Sequence, residues 1–357
     1  MKKSLIALAV LAASGAAMAQ SSVTLFGVID TNISVIDNIG AGKDDKYGLG
    51  TSGLQTSRIG FRGVEDLGGG LKAGFHLEGE IFGDDGNSSG LDFKRRSTLS
   101  LMGGFGEVRL GRDQTVGYVK TSSYDVFGQA GYGQFLGWSS WSAVGPDTNG
   151  IRKSNMISYF TPKFSGFSGA IGYGFDEQTT GSLGEYIGGY VAYDNGPLSV
   201  ALSYDQSKLG AAAAGTTAAR KIDRDTIALG ASYDFGVAKV SGIYQQVKHD
   251  EAGRNDVKVN SYALGVSAPV GSSGIVKAQY AMYDQKNVVQ GRDAEANHFS
   301  LGYQHNLSKR TALYGTVSYM DNDNGSTVGL SGKGMGTTTP VSGESQTGFQ
   351  VGIRHAF

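Results

Sequence analysis

Residues 56–78 read TSRIGFRGVEDLGGGLKAGFHLE. On either side of Gly68-Gly69-Gly70, apolar or small residues alternate with charged ones. Period two is strand patterning, because successive side chains of a strand point to opposite faces. The glycine run between the two segments supplies turn chemistry. Ile59 and Phe61, then Ala73, Phe75, Leu77 and Ile81, form one row. Arg58, Arg62, Lys72, His76, Glu78 and Glu80 form the other. A hairpin with one apolar and one charged face cannot bury both in a dry core. It is a pair of strands that separates an apolar medium from a wet one.

The same reading extends along the chain. Sixteen segments of about nine to twelve residues alternate in this way, the length at which a tilted strand crosses a bilayer. They are 23–35, 55–67, 70–82, 93–102, 106–112, 153–161, 166–175, 185–193, 197–205, 224–234, 238–248, 258–268, 274–283, 297–306, 310–320 and 346–357. Short turns alternate with long polar connectors, the longest being 36–54, 113–150, 206–223 and 321–345. An even strand number with short turns at one end and long loops at the other predicts an all-β fold, a transmembrane antiparallel β-barrel of 16 strands. Tyrosines at segment ends (Tyr193, Tyr204, Tyr233, Tyr283, Tyr303 and Tyr319) are expected in the interfacial girdles. A soluble sandwich would not need them there.

Composition agrees. There are 57 Gly and 18 Tyr against 5 Pro, no Cys, and a mean hydropathy of −0.19. After residue 19 no apolar run approaches the roughly 20 residues a spanning helix requires. Residues 1–19, MKKSLIALAVLAASGAAMA, carry two lysines, a short apolar stretch and an A-x-A site, so they read as a signal peptide and 20–357 as the exported barrel. Thirty-one basic against thirty-two acidic residues offer no field for nucleic acid.

One stretch breaks the rhythm. Residues 113–150 hold both tryptophans and many other aromatics with few charges, and a connector that long is functional or disordered. Its composition argues for a loop folded against the barrel's inner wall, with Trp138 and Trp141 as packing anchors. Parity puts Glu107 and Arg109 inward with the charged row of the opening hairpin. The neighbours Arg95 and Arg96 cannot share a strand face, so one of them lies near an end or at a protein contact.

The opening SSVTLFGVID, the run TSRIGFRGVEDLGGGLKAGFHLE, RRSTLSL followed by GGFGEVRLGRD, and the closing VGIRHAF together resemble the general porins of Gram-negative bacteria, closest to the β-proteobacterial type. That resemblance spans the whole exported chain. It implies a homotrimer in the bacterial outer membrane, with the third long loop folded into the lumen as a constriction. It implies a water-filled channel for ions and small hydrophilic solutes, in contact with outer-membrane lipid and lipopolysaccharide. Matched residue by residue, Arg58, Arg95 and Arg152 fall on the basic wall of the constriction, and Asp113 and Asp125 are the acids available on the loop. The loop lacks the family's usual P-E-F-x-G and is sparse in acids, which tilts the expected selectivity weakly toward anions. Phe357 matches the terminal aromatic read by the outer-membrane assembly machinery.

No enzymatic constellation competes with this. The five histidines are scattered, and neither G-x-S-x-G nor H-E-x-x-H is present. No cofactor is expected. His76 beside Glu78 and Glu80 reads as pore lining rather than a metal or catalytic site. A substrate-selective channel and an adhesin displaying its outer loops are the remaining alternatives.

Overall fold

The computed structural model describes residues 22–86, 92–138, 150–179, 182–211, 220–289, 292–335 and 338–357. The signal peptide, Trp141 and most of the alanine-rich run near 212–219 lie outside them. The strands are β1 Ser22–Ile36, β2 Lys46–Thr51, β3 Arg58–Gly68, β4 Leu71–Glu80, β5 Arg96–Gly103 and β6 Gly106–Gln114. After the long loop come β7 Arg152–Phe160, β8 Phe167–Gly174, β9 Tyr186–Asn195, β10 Leu198–Ala211, β11 Arg220–Asp234 and β12 Lys239–Glu251. β13 Val257–Val270, β14 Gly274–Val289, β15 Arg292–Asn306, β16 Thr311–Asp323 and β17 Gln346–Ala356 complete the sheet.

Every neighbour is antiparallel, and the sheet closes where β1 meets β17 from Val28↔Ala356 to Ile36↔Gly348. Closure removes the open edges that lipid could not satisfy. Phe357 extends the seam, because it and Gly27 exchange both backbone hydrogen bonds at 3.0 Å. On its other edge β1 pairs with β3 over Ser22–Val28 and with β2 over Thr31–Ile36. β2 and β3 therefore share one position in the wall, and the barrel has sixteen staves, as the sequence predicts. In the β3–β4 turn, Gly68, Gly69 and Gly70 have φ of 86°, 60° and 82°, a left-handed run that a side chain would strain.

Three expectations need correction. The connector 36–54 contains β2, whose alternation is brief: Tyr47 and Leu49 point out, and lysine or glycine points in. Strand pairing also runs well past the apolar segments, to Ala211 and Arg220, Ile222 and Glu251, and Val289 and Arg292. Above the bilayer both faces of a strand are wet, so the hydropathy signal stops while the backbone ladder continues. Finally, Tyr283 is buried inside the barrel, not in a girdle. Tyr204, Tyr233, Tyr303 and Tyr319 do stand exposed on the outer surface with Leu202, Leu229, Leu264, Leu301 and Val317.

Candidate site at the folded loop and the arginine wall

The long loop rises from β6 and returns to β7 on a hydrogen-bonded base: Thr115 N donates to Ile151 O (3.0 Å) and Thr115 Oγ1 to Gly150 O (2.7 Å). It forms a short helix, α1 Val116–Thr121, then a single 3-10 turn, Ser122–Tyr124. α1 packs on β8, β9, β10 and β11. Tyr118, Tyr124, Tyr132, Phe135, Leu136 and Trp138 are buried against Ala192, Ala201, Ala228, Ile243, Ala263 and Tyr283 of the inner wall. Four of those wall positions are alanine, small where the rings are large. Gly230, Gly265 and Gly302 touch Tyr124, Val126 and Phe127 so closely that no β-carbon would fit without a shift. Trp138 meets Tyr118 and Phe135 edge-on at 5.3 and 5.4 Å, Tyr283 OH accepts from Leu136 N (3.0 Å), and Gln350 Oε1 accepts from Tyr132 N (2.8 Å). Each buried ring contributes on the order of a few kcal/mol by area alone.

On the far side of this packed block a gap remains. A cavity of about 440 Å³ is lined by Arg58, Arg95, Arg152 and Lys333 and by the loop residues Gln114, Tyr118, Ser122, Ser123, Gln129 and Gln134, among others. Arg58 opens β3; its Nη1 donates to Thr56 O (3.2 Å), and its Nε lies 3.6 Å from Glu78 Oε2. Arg95 Nε donates to Glu78 Oε1 (2.6 Å), and Arg152 Nε to Arg95 O (3.0 Å). Lys333 descends from the connector between β16 and β17 and pairs with Glu80. Two carboxylates thus stand behind four cations. Among the described residues the loop side presents amides, hydroxyls, main chain and the small apolar surfaces of Ala130 and Ile151. Burial pushes the Tyr118 phenol up to about 12, so it adds no negative charge near neutral pH.

The question of Arg95 against Arg96 dissolves, because β5 begins at Arg96 and parity does not bind the residue before it. Both reach the interior. Arg96 lies across from Glu78 in register and contacts Asp113 (3.4 Å) in a second cluster. There Arg109 donates to Asp113 Oδ2 (2.7 Å) and Glu107 Oε1 (2.9 Å) while lying 4.3 Å from the Phe160 ring. His76 Nε2 is 3.5 Å from Glu78 Oε2, and Arg62 stacks over Phe26 at 5.0 Å.

The two loop acids singled out in the sequence, Asp113 and Asp125, are engaged elsewhere; Asp147 lies outside the described residues. Asp113 neutralises Arg96 and Arg109. Asp125 is buried within the loop, where it accepts N–H from Phe127 (3.1 Å), Gln129 (2.8 Å) and Phe135 (3.2 Å). Neither lines the arginine cavity. Sequence reasoning missed Lys333, a lone lysine in a Gly/Ser/Thr-rich connector with no local pattern to mark it. It also left Glu78 as one lining residue among several, whereas Glu78 is the shared counterion of Arg58 and Arg95. Among the described residues no group of three or more His, Asp or Glu could hold a metal ion.

A profile of the family described as Gram-negative porin matches residues 5–325. The chain is 60% identical to outer membrane porin protein 32 of Delftia acidovorans, with 100% of both chains covered. Among solved structures, the anion-selective porin from Comamonas acidovorans superposes with a TM-score of 0.88 at 57% identity, covering 95% of this chain and 100% of that one. The trimer form of OmpT, an outer membrane protein of Vibrio cholerae, shares the fold at a TM-score of 0.68 and 17% identity, over 94% of this chain and 99% of that one.

Proposed function

We propose that this chain, which belongs to the Gram-negative porin family and is accordingly an outer-membrane channel and not an enzyme, is a general diffusion pore whose filter is the arginine wall. The observation that carries the reading is the one-sidedness of the cavity: among the described residues that line it, Arg58, Arg95, Arg152 and Lys333 are the charged ones, and those from the loop carry no charge. Fixed cations in a narrow water-filled gap raise the local anion concentration and lower that of cations. The preference is weak, because Glu78 and Glu80 stand within contact of the cations and the field is screened over about 8 Å at physiological salt. Hydrophilic solutes pass because amides, hydroxyls and guanidinium groups replace part of their hydration. Apolar solutes gain nothing there and lose water structure on entry.

The remaining assignments belong to the same reading. Residues 1–19 direct export and are removed, 20–357 form the barrel, and 113–150 form the constriction. The channel works as a homotrimer, its outward apolar rows meet lipid and lipopolysaccharide, and Phe357 at the β1–β17 seam is read by the assembly machinery. Arg62, His76, Glu78, Glu80 and Arg109 shape the lumen around the filter without setting its sign.

The test is planar-bilayer conductance of the refolded protein under a salt gradient, comparing wild type with Arg58→Ala/Arg152→Ala. Stepwise openings in threes, with a reversal potential that loses its anion preference in the double variant, are expected. Unchanged selectivity would move the filter to Arg96 or Arg109. A folded barrel that never conducts would overturn the diffusion-pore reading.

A further inference from the structure

Six residues, 52–57, lie between β2 and β3, and only two residues of β1, Ile29 and Asp30, stand opposite them. An excursion of that size inside a barrel wall leaves its N–H and C=O groups without a ladder partner. Asp30 supplies the partners. Its Oδ1 accepts from Gly53 N (3.2 Å) and from the Tyr314 hydroxyl (2.6 Å); its Oδ2 accepts from Leu54 N (2.8 Å) and Gln55 N (2.7 Å). Its own carbonyl accepts from Ser52 N (2.9 Å), Thr51 Oγ1 (3.0 Å) and Ser57 Oγ (3.0 Å). Three consecutive backbone amides aimed at one carboxylate make an anion nest, here filled by the protein itself. Asp30 is 0% exposed, so it touches no permeant ion. Ser52 is held at φ 66°, a left-handed conformation that a serine adopts only when its surroundings impose it.

The clamped excursion reaches the filter on both sides. Thr56 O holds the Arg58 guanidinium, and Gln55 and Thr56 line the cavity. Across the gap, Gly131 of the folded loop packs on Gly53 O too closely for any β-carbon.

We propose that Asp30 is a positioning residue of the pore: by fixing the 52–57 excursion it keeps Arg58 turned toward the gap and away from full pairing with Glu78, and so sets the strength of anion preference. The proposal rests on the arginine wall being the filter. Asn at position 30 keeps the size of the side chain but places an NH₂ where N–H donors converge, so the excursion is released. Arg58, now 3.6 Å from Glu78 through Nε, then closes onto that carboxylate and is neutralised. The sign separates this account from simple electrostatics, because deleting a negative charge near an anion path would by itself raise anion preference. Release of Arg58 lowers it.

Reversal potentials in a potassium chloride gradient would be measured for full-length Asp30→Asn, Tyr314→Phe, Arg58→Ala and the Asp30→Asn/Arg58→Ala pair. The anion-to-cation permeability ratio is expected to fall about threefold in Asp30→Asn, the order seen for groups coupled in one hydrogen-bond network. It should fall in the same direction but less in Tyr314→Phe, and Asp30→Asn should add little once Arg58 is absent. A rise or no change in Asp30→Asn, or an equal fall with and without Arg58, would overturn the positioning role while leaving the arginine filter intact. An unchanged ratio in Arg58→Ala would overturn the clamp, and an unchanged ratio in Arg58→Ala/Arg152→Ala would overturn the filter with it. Tyr314→Phe removes only a hydroxyl, so if Asp30→Asn does not fold, an unchanged ratio in Tyr314→Phe overturns the proposal by itself.

Discussion

Asp125 shows how a charged residue can serve the pore without facing it. Its carboxylate gathers the amides of Phe127, Gln129 and Phe135 and the Gln129 side chain (2.8 Å), so the loop folds back on itself over one anion. Asp125→Ala leaves these donors buried and unpaired, a cost of about 3 kcal/mol summed over the cluster. The expected outcome is a loosened loop, read as red-shifted tryptophan emission, faster proteolysis between β6 and β7, and larger but noisier single-channel steps. The pH response has a definite sign. Burial holds the Asp125 carboxyl above its ordinary range. The charged form is therefore the less stable one in the folded loop, and stability is lost as pH rises through the native value and regained as it falls. The urea midpoint of the tryptophan signal should respond to acidification more favourably in wild type than in Asp125→Asn. A midpoint that falls in wild type alone would contradict the burial argument.

At the scale of elements, legibility follows the solvent. Wherever a strand crosses the bilayer, one row is apolar and the other polar, and sixteen staves with their facings can be read from period two alone. Leu229, Leu264 and Leu301 stand on the outer surface for that reason. Once a strand stands in water on both sides the period vanishes, which hid β2 and the upper ends of β10 to β15. Arg58 and Arg152 open strands and Arg95 directly precedes one, each beside a recognisable motif, so the sequence could single them out. Lys333, Asp30 and Tyr314 were not, since each acts through a partner more than twenty residues distant in sequence. The connector holding Lys333 adds an alkaline signature. Partial desolvation in the narrow gap, with Arg95 and Arg152 nearby, lowers the Lys333 ammonium below the usual lysine range, against the pull of Glu80. Its charge is present below that lowered value and lost as pH rises through it, before ordinary lysines discharge. Anion preference should therefore step down at a pH below that at which ordinary lysines discharge, and Lys333→Gln should remove the step and start from the lower plateau. A titration identical in both proteins would detach Lys333 from the filter.

For the molecule as a whole, the barrel partitions two solvents, and a single substitution has opposite meaning on its two faces. Leu301 is 54% exposed on the outer side of β15, between Phe299 and Tyr303. Three residues on, Gln304 points inward, where its amide reaches Asn306 (2.7 Å) in the half-open lumen near the short turns. An arginine at 301 must either enter hydrocarbon or drag water to it, costing about 2–4 kcal/mol near mid-bilayer. An arginine at 304 remains solvated and adds a cation to the ion path at little cost in stability. Unfolding by urea in lipid vesicles should thus separate the pair, with Leu301→Arg destabilised by several kilocalories and Gln304→Arg close to wild type. Conductance under a salt gradient should separate them the other way: assembled Leu301→Arg channels keep the wild-type reversal potential, and Gln304→Arg shifts it toward anions. Each readout moves in only one variant if the outward and inward rows are assigned correctly. A swap of the two results would require the register of β15 to be displaced by one residue, which would turn every side chain of that strand to the opposite face.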